Sequence, residues 1–168
     1  VAASICAHFL DVDAARLVGR GTGVDDSGLA RKVGVVESAL QAVSASTPEQ
    51  AIQQIGGRDI AALFGAIGRA AEKRVAVVID GYVVAAAALA LVRAYPDAAD
   101  YLLWSHCSQE QGHAFVLDAL GAKALLDLDY RLGEGTGALT VFPLLELSCA
   151  IHSKMATFDD AAVPNRGE

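Results

Sequence analysis

The chain has 168 residues, 54% hydrophobic and 20% charged, which fits one packed domain with a substantial core and excludes a disordered chain. Its net charge of -7 and pI near 5.0 argue against a nucleic-acid surface, which needs clustered Lys and Arg; only short pairs such as Arg31-Lys32 and Lys73-Arg74 occur. The longest uncharged apolar run, Tyr82 to Val92, stops at Arg93, well short of the roughly 18 to 20 residues that span a bilayer, so no membrane association is expected.

Cys6, Cys107 and Cys149 are odd in number and widely spaced, giving neither a disulfide framework nor a CxxC metal site, and a reducing cytoplasm is the simplest compartment. The start VAASICAHFLDVD lacks a basic first segment and turns acidic at Asp11, so it does not read as a signal peptide. The chain opens on Val1 with no initiator methionine, which leaves room for a translation start upstream.

The first predicted feature is a glycine-rich loop, VGRGTGVDDSG, from Val18 to Gly28, ending in the capping candidates Asp25, Asp26 and Ser27. A helix follows to about Val43. A second start signal lies at Ser46 to Gln50, where proline occupies the first turn. After Gly56-Gly57, residues Ile60, Leu63, Phe64 and Ile67 recur at helical spacing. The largely β-branched run Val75 to Asp80 reads as a buried strand, breaks at Asp80-Gly81, and leads into a helix that Pro96 stops.

A short strand, Tyr101 to Trp104, is followed by a turn and a helix from Ser108 to about Leu120. The last unit is a strand around Leu125 to Leu132, the turn LGEGTGA, and a long helix ending near Met155; the tail AAVPNRGE reads as frayed. Three successive strand, turn, helix units predict an α/β fold, a parallel sheet with helices on both faces in a Rossmann-like three-layer arrangement. GRGTGV at Gly19 and GEGTGA at Gly133 share GxGTG, which indicates similar turn chemistry and not a repeat.

Glu134 stands between Gly133, Gly135 and Gly137 at the carboxyl end of a predicted strand, which is the ligand end of an open α/β sheet. Held in a partly dry turn, it would be a general base near neutral pH; a capping or solvent-facing role is the alternative. Asp80 ends a strand and either meets a ligand or caps the following helix. Ser108 has the same two options, with Ser108-Gln109-Glu110-Gln111 fitting a capping box. Lys32 reaches over the glycine loop toward a phosphate or is a solvated surface residue. His106, Cys107 and His113 have no recognised metal spacing. GRGTG lacks the last glycine of GxGxxG, and no P-loop occurs, which removes the common nucleotide motifs.

Taken in order, VGRGTGVDDSGLARK, VVIDGY, SHCSQEQGH, LLDLDYRLGEGTGA and KMATF resemble the nicotinate-nucleotide:dimethylbenzimidazole phosphoribosyltransferases of cobalamin biosynthesis, over roughly Val12 to Asp160. The resemblance implies transfer of phosphoribose from nicotinate mononucleotide to 5,6-dimethylbenzimidazole, giving α-ribazole phosphate and nicotinate. It also implies Glu134 as the base, Leu132 against the aromatic acceptor, and Lys32 at the donor phosphate, with Gly133 and Gly135 among the substrate-binding residues. Asp80 and Ser108 match positions lining the donor pocket. No metal or organic cofactor is implied, and a homodimer is. Family members carry a GEMGIGNTT-like phosphate loop ahead of the segment matching VAASICAHFL. The chain therefore resembles the C-terminal part of such an enzyme, a fragment or a separately encoded domain. A non-catalytic relative that binds a nucleotide or an aromatic ligand is the alternative.

Overall fold

A helix with no polar face stands at the centre of the fold. Helix α6, Tyr82–Ala94, is buried continuously from Ala85 to Leu91, and four consecutive alanines, Ala85 to Ala88, let neighbouring elements approach closely. A helix that is apolar all round belongs inside a domain. The computed structural model describes residues 1–21, 23–158 and 160–162.

Around this helix the chain forms α1 (Ala2–Leu10), α2 (Ala14–Leu17), α3 (Asp26–Ala42), α4 (Pro48–Ala51), α5 (Gly57–Glu72), α7 (Gln111–Ala119) and α8 (Thr136–Lys154). Strands β1 (Val77–Ile79) and β2 (Leu102–Trp104) pair in parallel, Val77 opposite Leu102 and Ile79 opposite Trp104. The α/β class with a parallel sheet is as the sequence predicts. Helices α1, α5 and α7 pack on α6, and both α5 and α6 contact β1.

Local chemistry explains most boundaries. Asp25 caps α3, its carboxylate accepting the Gly28 N–H at 2.8 Å. Thr47 caps α4 ahead of Pro48. A single π-turn, Ile52–Gly56, joins α4 to α5. Both strands are shorter than predicted. Val75 is held in the turn that ends α5, its N–H bonded to the Ala70 carbonyl, and Tyr101 closes a 3₁₀ turn, Pro96–Tyr101.

The third predicted strand, Leu125 to Leu132, is reduced to a parallel bridge between His106 and Leu126. The segment still runs beside β2, with Leu125 N–H on Trp104 O and Leu126 N–H on Ser105 O. Asp129 has φ 55, outside the extended region, and that interrupts the ladder.

Helix α1 has no counterpart among the predicted elements. Its residues Ala3 to Ala7 are all buried, so no polar side interrupts the apolar run and no amphipathic period marks it. Helix α8 is the opposite case: Gly137 and Val141 are buried, whereas Leu139 and Leu147 are largely exposed. It is anchored through its first turns. No helix among the described residues is long and apolar enough to cross a membrane.

Candidate functional site

The turn before α8 has three consecutive residues in the left-handed region, Gly133 (φ 79), Glu134 (φ 55) and Gly135 (φ 80). Two of them are glycines, for which this conformation is nearly free; for Glu134 it costs roughly 1–2 kcal/mol. Such strain persists only where surrounding contacts hold it. The Gly133 carbonyl accepts both the N–H and the Oγ1–H of Thr136, at 3.0 and 2.8 Å.

The largest restraint comes from Asp80. This residue follows β1, is buried, and accepts the Gly135 N–H on Oδ2 at 3.1 Å and the Ala138 N–H on Oδ1 at 3.0 Å. It therefore caps α8 and not its own neighbour α6, whose N-terminus begins at Gly81 without a side-chain cap. A carboxylate at a helix N-terminus satisfies orphan donors and complements the helix dipole.

Behind the turn lies His106, also buried. A Cβ on Gly137 would lie 2.0 Å from His106 Nδ1, so only glycine lets the first turn of α8 rest on this ring. His106 Nδ1 is 3.0 Å from Ser105 Oγ, and Ser105 Oγ–H donates to the Asp80 carbonyl at 3.3 Å. His113 stands 6.1 Å away, ring centre to ring centre, and is fully buried. Burial first, and then the neighbouring His106, hold His113 down to about 4, with Asp80 opposing. No group of three or more His, Cys, Asp or Glu among the described residues is arranged to hold a metal.

Two open cavities meet near Gly19, Gly23 and Glu110. One, of about 1220 Å³, lies among α1, α3 and the start of α5, and Lys32 and Arg58 contribute to its wall. The other, of about 1000 Å³, lies between the two GxGTG loops and is bounded by Gly19, Gly21, Tyr130, Leu132 and Thr136. The two loops thus face each other across one space. Aligned by the shared motif, the loops agree at the middle glycine, Gly21 (φ 64) and Gly135 (φ 80), and differ at the outer two: Gly23 (φ 75) is left-handed where Gly137 is helical, and Gly133 (φ 79) is left-handed where Gly19 is not; Thr22 lies outside the described residues.

Lys32 is exposed and reaches the first loop, its Nζ–H donating to the Gly19 carbonyl at 2.6 Å. Leu132 lines the second cavity and is 76% exposed, as are several apolar residues of the following helix, Leu139 and Leu147 among them. Glu134 sits between Leu132 and Thr136 but is exposed and outside the cavity wall, so the partly dry setting expected for it is not found in this structure. Gly133 and Gly135 are half-buried beside it. Asp80 and Ser108 are buried and line neither cavity.

The expected capping box at Ser108 does not form. Helix α7 starts at Gln111, and Ser108 Oγ accepts the Glu110 N–H at 3.2 Å while its own N–H donates to His113 Nδ1 at 2.9 Å. The adjoining glutamines go elsewhere. Gln109 Nε2–H donates to Asp129 Oδ1 at 2.7 Å, and Gln111 Nε2–H donates to the carbonyls of Ala15 and Val18 at 3.0 and 3.1 Å. One residue holds the segment leading to LGEGTGA and the other holds the approach to GRGTG. These wall residues, with Glu110, escape sequence reasoning because their spacing matches a helix start.

A family model described as phosphoribosyltransferase matches residues 1–163. A nicotinate-nucleotide–dimethylbenzimidazole phosphoribosyltransferase of Bradyrhizobium diazoefficiens is 48% identical over 166 residues, covering 98% of this chain and 47% of that protein. A protein of the same name from Pseudomonas aeruginosa is 47% identical, over 98% of this chain and 48% of its own length. The crystal structure of CobT from Thermus thermophilus superposes with a TM-score of 0.90 at 40% identity, covering 99% of this chain and 50% of that one. The chain spans about half the length of the curated relatives it matches. It belongs to the nicotinate-nucleotide–dimethylbenzimidazole phosphoribosyltransferase family.

Proposed function

We propose that the protein transfers phosphoribose from nicotinate mononucleotide to 5,6-dimethylbenzimidazole, releasing nicotinate and forming α-ribazole phosphate. The observation that carries this reading is the facing of the two GxGTG loops across one cavity: Lys32 is bonded to the first loop from the neighbouring cavity, and Leu132 and Thr136 line the wall on the second loop, with Glu134 between them in sequence and outside that wall. The Lys32 ammonium exchanges the Gly19 carbonyl for the donor phosphate. Exposed Leu132 supplies the apolar face against which the flat acceptor lies, with Gly133 and Gly135 leaving the backbone open to it.

Glu134 accepts the benzimidazole N–H proton as the other ring nitrogen forms a bond to the anomeric carbon. The bond from that carbon to the pyridinium nitrogen breaks, and its electron pair leaves with nicotinate. Attack from the opposite face converts the β-linked donor into an α-linked product. Seating of the acceptor on Leu132 brings its N–H to the exposed Glu134 two residues on. Asp80 and Ser108 serve this site from behind the cavity wall.

The test is incubation of the protein with both substrates, alone and joined to the remaining half of the Bradyrhizobium diazoefficiens relative, with α-ribazole phosphate followed by chromatography and mass spectrometry. Glu134→Gln is expected to lower kcat by about 10²–10⁴-fold. Absence of product in both forms would reject the reading. The exposure of Glu134 favours one alternative, a nucleotide- or aromatic-binding relative without catalysis. Calorimetry that detects ligand binding without product would select it. A homodimer and a cytoplasmic location accompany the proposed activity, and light scattering on the purified protein checks the former.

A further inference from the structure

Among the described residues, Glu110 lines both cavities together with Gly19 and Gly23, and it is the one side chain beyond glycine that these residues place at the junction. It is half-buried, immediately before α7. Its backbone is fixed on both sides: the N–H donates to Ser108 Oγ, and the carbonyl accepts the His113 N–H at 2.8 Å. Its carboxylate makes no hydrogen bond or ion pair among the described residues. The flanking side chains Gln109 and Gln111 are both committed to neighbouring loops, which leaves Glu110 as the free polar group of this segment.

The position has a chemical meaning that rests on the donor proposed above. Such a donor has a phosphate at one end, a leaving base at the other, and a ribose between them. With the phosphate at Lys32 in the first cavity and the acceptor at Leu132 in the second, the ribose falls at the junction. A ribose presents two adjacent hydroxyls, each a hydrogen-bond donor. A carboxylate has two acceptor oxygens and no donor, and O–H bonds to an ionised acceptor are among the stronger protein hydrogen bonds. We infer that Glu110 binds the 2′,3′-diol of the donor ribose and is the residue that distinguishes ribosyl from deoxyribosyl donors.

The experiment compares nicotinate mononucleotide with its 2′-deoxy and 3′-deoxy analogues, by calorimetric Kd and by kcat/KM, in the wild-type protein and in Glu110→Gln. The wild type should favour the ribosyl donor by about 10–100-fold, the size expected for hydrogen bonds to a charged group. Glu110→Gln should reduce that preference to a few-fold, while binding of inorganic phosphate and the thermal unfolding midpoint stay as in the wild type. Glu110→Asp, which keeps the charge on a shorter stem, should restore part of the discrimination. A wild type indifferent to both deoxy analogues, or a Glu110→Gln variant as selective as the wild type, overturns the inference. Failure of every donor to bind at all would instead remove the proposed substrate, and this inference with it.

Discussion

The carboxylate of Asp80 accepts the backbone N–H of Gly135 at 3.1 Å, across 55 residues of sequence, and with its second oxygen accepts the N–H of Ala138. One side chain at the end of β1 thereby holds the left-handed turn that carries Glu134 at the start of α8. The direction of Glu134 is set from a neighbouring strand.

Asp80→Ala should leave both N–H groups without their acceptor at a largely buried position, destabilising the protein by about 1–3 kcal/mol. Asp80→Asn retains one acceptor oxygen and should cost less. Denaturant unfolding measures the totals. Amide hydrogen exchange should quicken at both Gly135 and Ala138 in Asp80→Ala and at one of the two in Asp80→Asn, with α6 amides unchanged; protection kept at both sites in Asp80→Ala would refute the capping role.

Gly137 and His106 should show strong coupling. A methyl at Gly137 would lie 2.0 Å from His106 Nδ1 and 2.2 Å from Cε1, in a region where the ring is walled in. Gly137→Ala is expected to cost about 1–3 kcal/mol through overpacking. In a His106→Ala background the same substitution should cost far less. A double-mutant cycle by urea unfolding measures the difference, and additive effects would contradict the close packing.

His113 should make stability fall in mild acid. Its folded-state value, near 4, lies below the ordinary histidine value of the unfolded chain, because burial and His106 disfavour the cation. Between those two values the unfolded state binds the extra proton, so the contribution is complete at neutral pH and is lost as pH falls through the window. The loss approaches roughly 3 kcal/mol at its lower end. Unfolding curves from pH 7.5 to 4 in the wild type and in His113→Gln should diverge, with the variant flatter.

Lys32→Ala should separate binding from stability. Lys32 is exposed, and its bond to the Gly19 carbonyl is at the surface, so the unfolding free energy should change by less than about 1 kcal/mol. Affinity for nicotinate mononucleotide should fall by about 10–100-fold, the scale of a lost charge-assisted hydrogen bond to phosphate. Calorimetry at two salt concentrations checks this. A retained affinity would move the phosphate away from Lys32.

Much of the layout is legible in the residues because its causes are local. Asp25 caps α3, Pro96 stops α6, and the glycines around Glu134 supply left-handed backbone ahead of α8. Ordered motifs also identify the family, which the relatives bear out over nearly the whole chain. Helix α1 escapes notice because burial on every side removes its amphipathic signal, and the third strand is overestimated because Asp129 leaves the extended region within an otherwise strand-like run.

The sequence by itself determined the class of fold, the two glycine loops and Glu134 as the acid group exposed by the second. Only the tertiary structure decided that Asp80 caps a helix 55 residues away and that Gln109 and Gln111 hold opposite loops. It also placed Glu110 where two cavities meet. The physical reason is that a turn's φ is governed by adjacent residues, whereas a carboxylate's partner is whichever donor the packing of distant elements brings within hydrogen-bond reach.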